Sequence, residues 1–136
     1  AHTLGCAAGA AVQRVIEREG LITRVAEEGK WLLETLQAEL GQNPHVGDVR
    51  GRGLFAGIEL VTDKHTKQPL DEALMGAVVT DIAGRGVLVG KTTRSIPGFN
   101  NTINIAPPLI VTQTDIDEIV EAVAAGIHQV TAKGVR

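Results

Sequence analysis

Gly47-Asp48-Val49-Arg50-Gly51-Arg52-Gly53-Leu54-Phe55-Ala56-Gly57-Ile58-Glu59-Leu60 is the stretch on which the architecture turns. Its centre, Gly51 to Ala56, matches G-x-G-x-x-A, the pattern with which dinucleotide sites bring a helix N-terminus up to a pyrophosphate. That chemistry needs a strand before the glycines and a helix after them. Here Gly57-Ile58-Glu59-Leu60 continues as a strand, and no βαβ unit precedes it. The glycines therefore read as points where strands bend and backbones come close. From Val46 to Leu60 the sequence predicts a bent β-hairpin or two strands.

Working outward, residues from Leu4 to Glu19 carry small and apolar side chains over a wide face, with Gly20 placed as a helix C-cap glycine. This predicts a closely packed helix. From Leu21 to Leu40, Leu21, Val25, Leu32, Leu33, Leu36 and Leu40 keep helical spacing opposite a charged face, and Gly41, Asn43 and Pro44 end the run. C-terminal to the hairpin, Asp63 to Gln68 reads as a polar turn and Leu70 to Ala83 as a third helix, closing at Gly84 and Gly86. Val87 to Val89 reads as a short buried strand, Lys91 to Asn101 as a loop, and Thr102 to Ile105 as a strand stopped by Pro107 and Pro108. Thr112 and Asp115 form an approximate capping box before a last helix through Ile116, Ile119, Val120, Val123 and Ile127. The order predicts an α/β fold, a small sheet layered by helices.

A net charge of -3 and a pI near 5.8, with no run of Lys or Arg, exclude nucleic acid as an expected partner. No apolar stretch approaches the roughly 20 residues that span a bilayer, so a soluble protein is expected. Cys6 stands alone, and no signal-peptide pattern is present, which favours a reducing cytoplasm. The chain opens Ala-His-Thr and runs at once into an apolar helix whose surface calls for a partner, so a fragment of a longer protein is expected.

The four histidines share no metal-binding spacing, and Cys6 on an Ala-rich helix reads as a buried, inert small hydrophobe, so no metal site is expected. Arg50 and Arg52 carry the planar forks of a carboxylate clamp, yet residues alternating along a strand more often make structural ion pairs. Lys91 and Arg94 fall in the loop between two strands, where a side chain can reach a ligand from a rigid scaffold, although on charge alone they read as a solvated basic loop.

Three stretches together resemble the class III (omega-amino-acid) pyridoxal-phosphate-dependent aminotransferases. Ala1-His2-Thr3-Leu4-Gly5-Cys6-Ala7-Ala8 is similar to the family's Gly-His-Pro run into an Ala-rich helix. Gly47 to Leu60 is similar to its VGDVRGRGLMLGIEL stretch, and Ile105-Ala106-Pro107-Pro108-Leu109-Ile110-Val111-Thr112 to its APPLIIT. The resemblance implies the C-terminal small domain of a fold-type-I transferase: residues 1–41 as interdomain helix and first helix of that domain, residues 42–136 as the sheet with two further helices. It implies transfer of an amino group from an amine or omega-amino acid to a 2-oxo acid through pyridoxal 5'-phosphate, in a homodimer. The Schiff-base lysine, the aspartate at the pyridinium nitrogen and the stacking aromatic would all precede this segment, so no catalytic or cofactor-binding residue is expected within it. Family members of the ornithine type place an arginine where Asn104 stands, and the amine:pyruvate type places one where Gly90 stands. Arg94 is then the expected partner of a substrate carboxylate, and a pyruvate-type acceptor is favoured.

Two other classes compete. One is a non-catalytic α/β module that binds a small carboxylate or a partner protein through Lys91 and Arg94. The other, nucleotide binding at Gly51 to Ala56, requires a helix after Ala56.

Overall fold

A computed structural model describes residues 2–93, 96 and 98–134. Helix α1 (Thr3–Arg18) and helix α2 (Leu21–Leu40) meet at Gly20, whose φ of 61° is open to glycine at little cost. Strands β1 (Val46–Arg52) and β2 (Phe55–Asp63) follow, then β3 (Gln68–Pro69), α3 (Glu72–Gly84), β4 (Gly90–Lys91), β5 (Thr102–Ile105) and α4 (Gln113–Gly134). The sheet runs β1-β2-β5-β4, every pairing antiparallel, with β3 beside β2. The α/β layering expected from the sequence is present.

The hairpin fixes which side of the sheet is dry. Arg52 pairs with Phe55 across a two-residue turn, and Gly53 takes the first central position at φ 55°. Period-two alternation then points Ala56, Ile58 and Leu60 of β2 and Ile103 and Ile105 of β5 inward. These residues join Leu32, Leu36 and Leu40 of α2, Met75, Val78 and Ile82 of α3, and Ile116, Val120, Val123 and Ile127 of α4 in one core. Each fully buried side chain of this size contributes about 1.5–3 kcal/mol before chain entropy is subtracted. On the opposite face, Asp48, Arg50, Phe55, Gly57, Glu59, Thr102 and Asn104 are exposed or half-buried.

Two close approaches set the helix positions. Gly29 of α2 lies against the backbone of Gly53 at the hairpin turn, with no room for a Cβ, and Gly126 of α4 lies against Ile82 of α3. Arg24 ties α2 to the segment ahead of α4: its Nη2 donates to the carbonyl of Val111 at 2.5 Å and to that of Ile110 at 3.4 Å. Thr112 and Asp115 close the expected capping box. The Asp115 amide donates to Thr112 Oγ1 at 3.2 Å, and the Thr112 amide and hydroxyl donate to Asp115 Oδ2 at 2.8 and 2.7 Å.

Four local expectations are corrected. Val87 to Val89 is not a buried strand: the ladder with β5 begins at Gly90, and Leu88 is 90% exposed. Leu70 is buried but precedes α3, because Asp71 takes the N-cap and its side chain accepts from the Ala73 amide. The polar turn gives way at Gln68 to the short strand β3. Helix α1 buries none of its residues, and Cys6 is exposed rather than buried, because the sheet and the other helices build the core without it.

Candidate functional site

The open face of the sheet and the β4–β5 connection at its edge form the candidate site. In register, Asn104 is flanked by Gly57 on β2 and Gly90 on β4. With no side chain on either side, the half-buried Asn104 amide stands over bare backbone, where it can donate from nitrogen and accept at oxygen. Both sequence positions at which the resemblance placed an arginine, Asn104 and Gly90, thus face each other across this patch.

Arg50 is not available as a clamp. Its Nη1 donates to Asp48 Oδ2 at 2.8 Å and to Glu59 Oε2 at 3.0 Å, Glu59 being the cross-strand partner of Asp48. The hydrogen bond to Asp48 is the main cause that raises the Arg50 pKa above its usual value; desolvation opposes it, and the bond to Glu59 adds to it. This is the structural ion pair expected from the alternation. Arg52 stands exposed at the hairpin end beside Phe55, itself 64% exposed.

The connection is clamped at both ends. At its start, the Thr92 amide donates to the Thr102 carbonyl at 2.9 Å, and the Thr102 amide donates to Thr92 Oγ1 at 3.2 Å. At its end, Asn101 is buried; its Nδ2 donates to the Leu60 carbonyl at 2.6 Å, while the Leu60 amide donates to the Asn101 carbonyl at 2.8 Å. One residue earlier, Asn100 Nδ2 donates to Glu72 Oε1 at 2.6 Å. Lys91, opposite Ile103, is turned to the helix side of the sheet and brings its Nζ near Gly76 of α3. Lys91 therefore does not share the open face with Asn104. Arg94, the expected carboxylate partner, lies outside the described residues.

The five lysines are spread over α2, the β2–β3 turn, β4 and α4. Lys30 is exposed and 3.7 Å from Glu34, and Lys64 donates to the Gly41 carbonyl at 2.7 Å. Lys67 and Lys133 are exposed, and Lys91 lies against α3. No group of three His, Cys, Asp or Glu among the described residues could hold a metal ion, and none of the described helices is long and apolar enough to cross a membrane. A cleft of about 370 Å³ opens between residues 86–89, residues 105–108 and the start of α4, but Asp115 there is already engaged by Thr112. The nucleotide reading fails on the fold: β2, not a helix, follows the glycines. Sequence reasoning missed Glu72 and Asn100, for which the only local signal was the turn-forming pair Asn100-Asn101 ahead of a strand.

Comparison with known proteins agrees with this architecture. Residues 1–127 match the family described as aminotransferase class-III. The chain is 47% identical over 132 residues to a taurine–pyruvate aminotransferase of Rhodobacter capsulatus, covering 94% of this chain and 29% of that protein. It is 44% identical to a hypotaurine/taurine–pyruvate aminotransferase of Paracoccus denitrificans, again over 94% of this chain and 29% of that protein. A Bacillus anthracis aminotransferase structure superimposes with a TM-score of 0.83 at 39% identity, over 85% of this chain and 26% of that one. An (S)-enantioselective omega-transaminase from Thermomicrobium roseum gives a TM-score of 0.83 at 30% identity, over 95% and 28%. The chain spans under a third of the length of these relatives, and it belongs to the class III aminotransferase family.

Proposed function

We propose that this chain is the small-domain portion of a pyridoxal-phosphate-dependent aminotransferase that moves an amino group from an amine or omega-amino acid to a pyruvate-type 2-oxo acid. The observation that carries the reading is the match to class III aminotransferases over residues 1–127, in which taurine–pyruvate enzymes figure at 47% identity. In this reading residues 1–41 supply an interdomain helix and the first helix of the small domain, and residues 42–136 the rest of it. The enzyme is cytoplasmic and works as a homodimer, the commonest symmetric assembly.

Pyridoxal phosphate supplies the electron sink when bound. The lysine environments described above do not fit it, so the remainder of the enzyme holds the cofactor and this chain alone is inactive. What this chain contributes is recognition. Arg94 pairs with the acidic group of the substrate through its planar fork, and Asn104 offers a neutral amide at the open face between Gly57 and Gly90.

The test uses the full-length protein with pyridoxal phosphate, a panel of donors that includes taurine, and pyruvate. Expected are the visible band of an internal aldimine and alanine formed from pyruvate; residues 1–136 alone should give neither. A full-length protein that forms no alanine with any donor refutes the activity. An aldimine band in the 136-residue chain refutes the placement of the cofactor outside it.

A further inference from the structure

Helix α1 carries apolar surface that none of the described residues buries. From Thr3 to Val12, about three turns, it holds no charged side chain, and Thr3 is its only polar one. A helix without a polar face belongs where protein surrounds it. Yet no residue of α1 is buried, Leu4 is 73% and Val12 56% exposed, and α2, which it meets at Gly20, is its main neighbour. Gly5 and Gly9 sharpen the point. They lie one turn apart on the same side of the helix, neither has a positive φ, and a Cβ on either would meet nothing within 4 Å. Glycine weakens a helix interior relative to alanine, and alanines stand on all sides of Gly9. Gly29 and Gly126 have a backbone and a side chain pressed against them, whereas Gly5 and Gly9 have no such neighbour among the described residues.

We propose that α1 seats in an apolar groove of the remainder of the full-length enzyme, with the Gly5–Gly9 side as the seam where a second backbone comes close. The inference rests on the reading of this chain as one portion of a longer aminotransferase. Length identifies what supplies the groove. Residues 1–127, α1 included, match the family, while the chain spans 29% of the taurine–pyruvate enzyme of Rhodobacter capsulatus, so more than two-thirds of such a protein lies outside it. That mass is covalently joined to α1, at an effective concentration that a separate molecule does not match. The groove encloses the uncharged turns, and Arg14, Glu17 and Arg18 mark where the helix emerges from it toward α2. In residues 1–136 by themselves the seam is open, so its effects belong to the full-length protein alone.

The experiment uses the full-length holoenzyme, with Cys6, exposed in the described chain, as reporter. Expected is maleimide labelling of Cys6, read by mass spectrometry of its peptide, at least about 100-fold slower in the native protein than in urea. Gly5→Ala then gives the sign of the seam. On an open helix face this change raises Tm, whereas in a seam it lowers Tm, by at least about 2 °C, and quickens the labelling. The wild-type labelling needs no variant, so a Gly5→Ala protein that does not fold leaves the first arm to decide. Free labelling of native Cys6, or a Gly5→Ala enzyme melting at or above wild type, overturns the inference. Protection of Cys6 that is lost on dilution to monomer overturns it in favour of a groove on a second copy. A native protein of 136 residues overturns it together with the reading on which it rests. A full-length protein that protects Cys6 but moves no amino group overturns the activity alone and supports the seat of α1.

Discussion

Replacing Gly29 with alanine places a methyl group inside the contact distance of the Gly53 Cα, carbonyl carbon and oxygen. The obstacle is backbone held by the hairpin ladder, so it cannot swing aside as a flexible side chain would. Helix α2 must instead retreat by roughly 1 Å to reach an ordinary carbon contact of about 3.5 Å. Leu32, one turn further on and fully buried, moves with it. A gap of about 1 Å forfeits up to half of a van der Waals well per contact, and overpacking of this kind costs about 1–3 kcal/mol or more. Alanine returns about 1 kcal/mol through its better helix propensity. A cost of about 3 kcal/mol less that gain leaves a net loss of about 2 kcal/mol. For 136 residues at about 2.1 cal/mol/K of unfolding entropy each, that corresponds to a Tm lower by about 7 °C. The assay is thermal unfolding followed by far-UV circular dichroism, with Gly9→Ala as control, because a Cβ there meets nothing within 4 Å. A Gly29→Ala variant melting at or above wild type refutes the close approach of α2 to the hairpin.

Leu36→Ala should cost about 2–5 kcal/mol in urea unfolding, since its side chain is fully buried among the sheet and α4; a loss under about 1 kcal/mol would contradict that burial. Asp115 and Asp63 both have pKa values held below the usual carboxylate range, Asp115 chiefly by the Thr112 hydroxyl and Asp63 chiefly by the Thr66 amide. A folded pKa below the unfolded one means that their stabilisation is present above about pH 4 and is lost as pH falls through the folded value. Acid titrations should therefore show a smaller loss of Tm below pH 4 in Asp115→Asn than in wild type, and equal slopes would refute it. Arg94→Ala in the full-length enzyme should raise KM for carboxylate substrates more than for simple amines, and equal effects on the two would remove Arg94 as the acidic-group partner.

What could be read from the sequence followed the range of the interactions. Helix α2 was legible from Leu21 to Leu40 because its leucine spacing is local and its C-terminus is marked by Gly41. Strand β5 was legible because Pro107 and Pro108 stop it. The Thr112–Asp115 box formed with aspartate in place of the longer glutamate, a variation within one turn of helix. Val87, Leu88 and Val89 misled because their composition suits a strand, whereas pairing is decided by how far the β5 ladder reaches, and it stops at Gly90. Cys6 misled for a related reason: burial is settled by what packs against a helix, not by its composition. In the candidate site, the Asp48–Arg50 pair was foreseeable from two residues on one strand face, but Glu59 enters only through the hairpin register. The bond between Glu72 and Asn100 spans 28 residues and leaves no periodic trace at all.

The strand order β1-β2-β5-β4 also dictates a sequence of events during folding. Strand β4 precedes β5 in the chain, yet among the described strands β5 is its only neighbour. Gly90 and Lys91 can pair with residues 102–105 as a hairpin, but that pair joins the rest of the sheet only where β5 meets β2, through contacts such as Ile58 with Ile103 that lie far apart in the chain. The β1–β2 hairpin closes over a two-residue turn and β4–β5 over the longer connection, so the non-local β2–β5 pairing that unites the two halves is the slow contact in assembling the sheet.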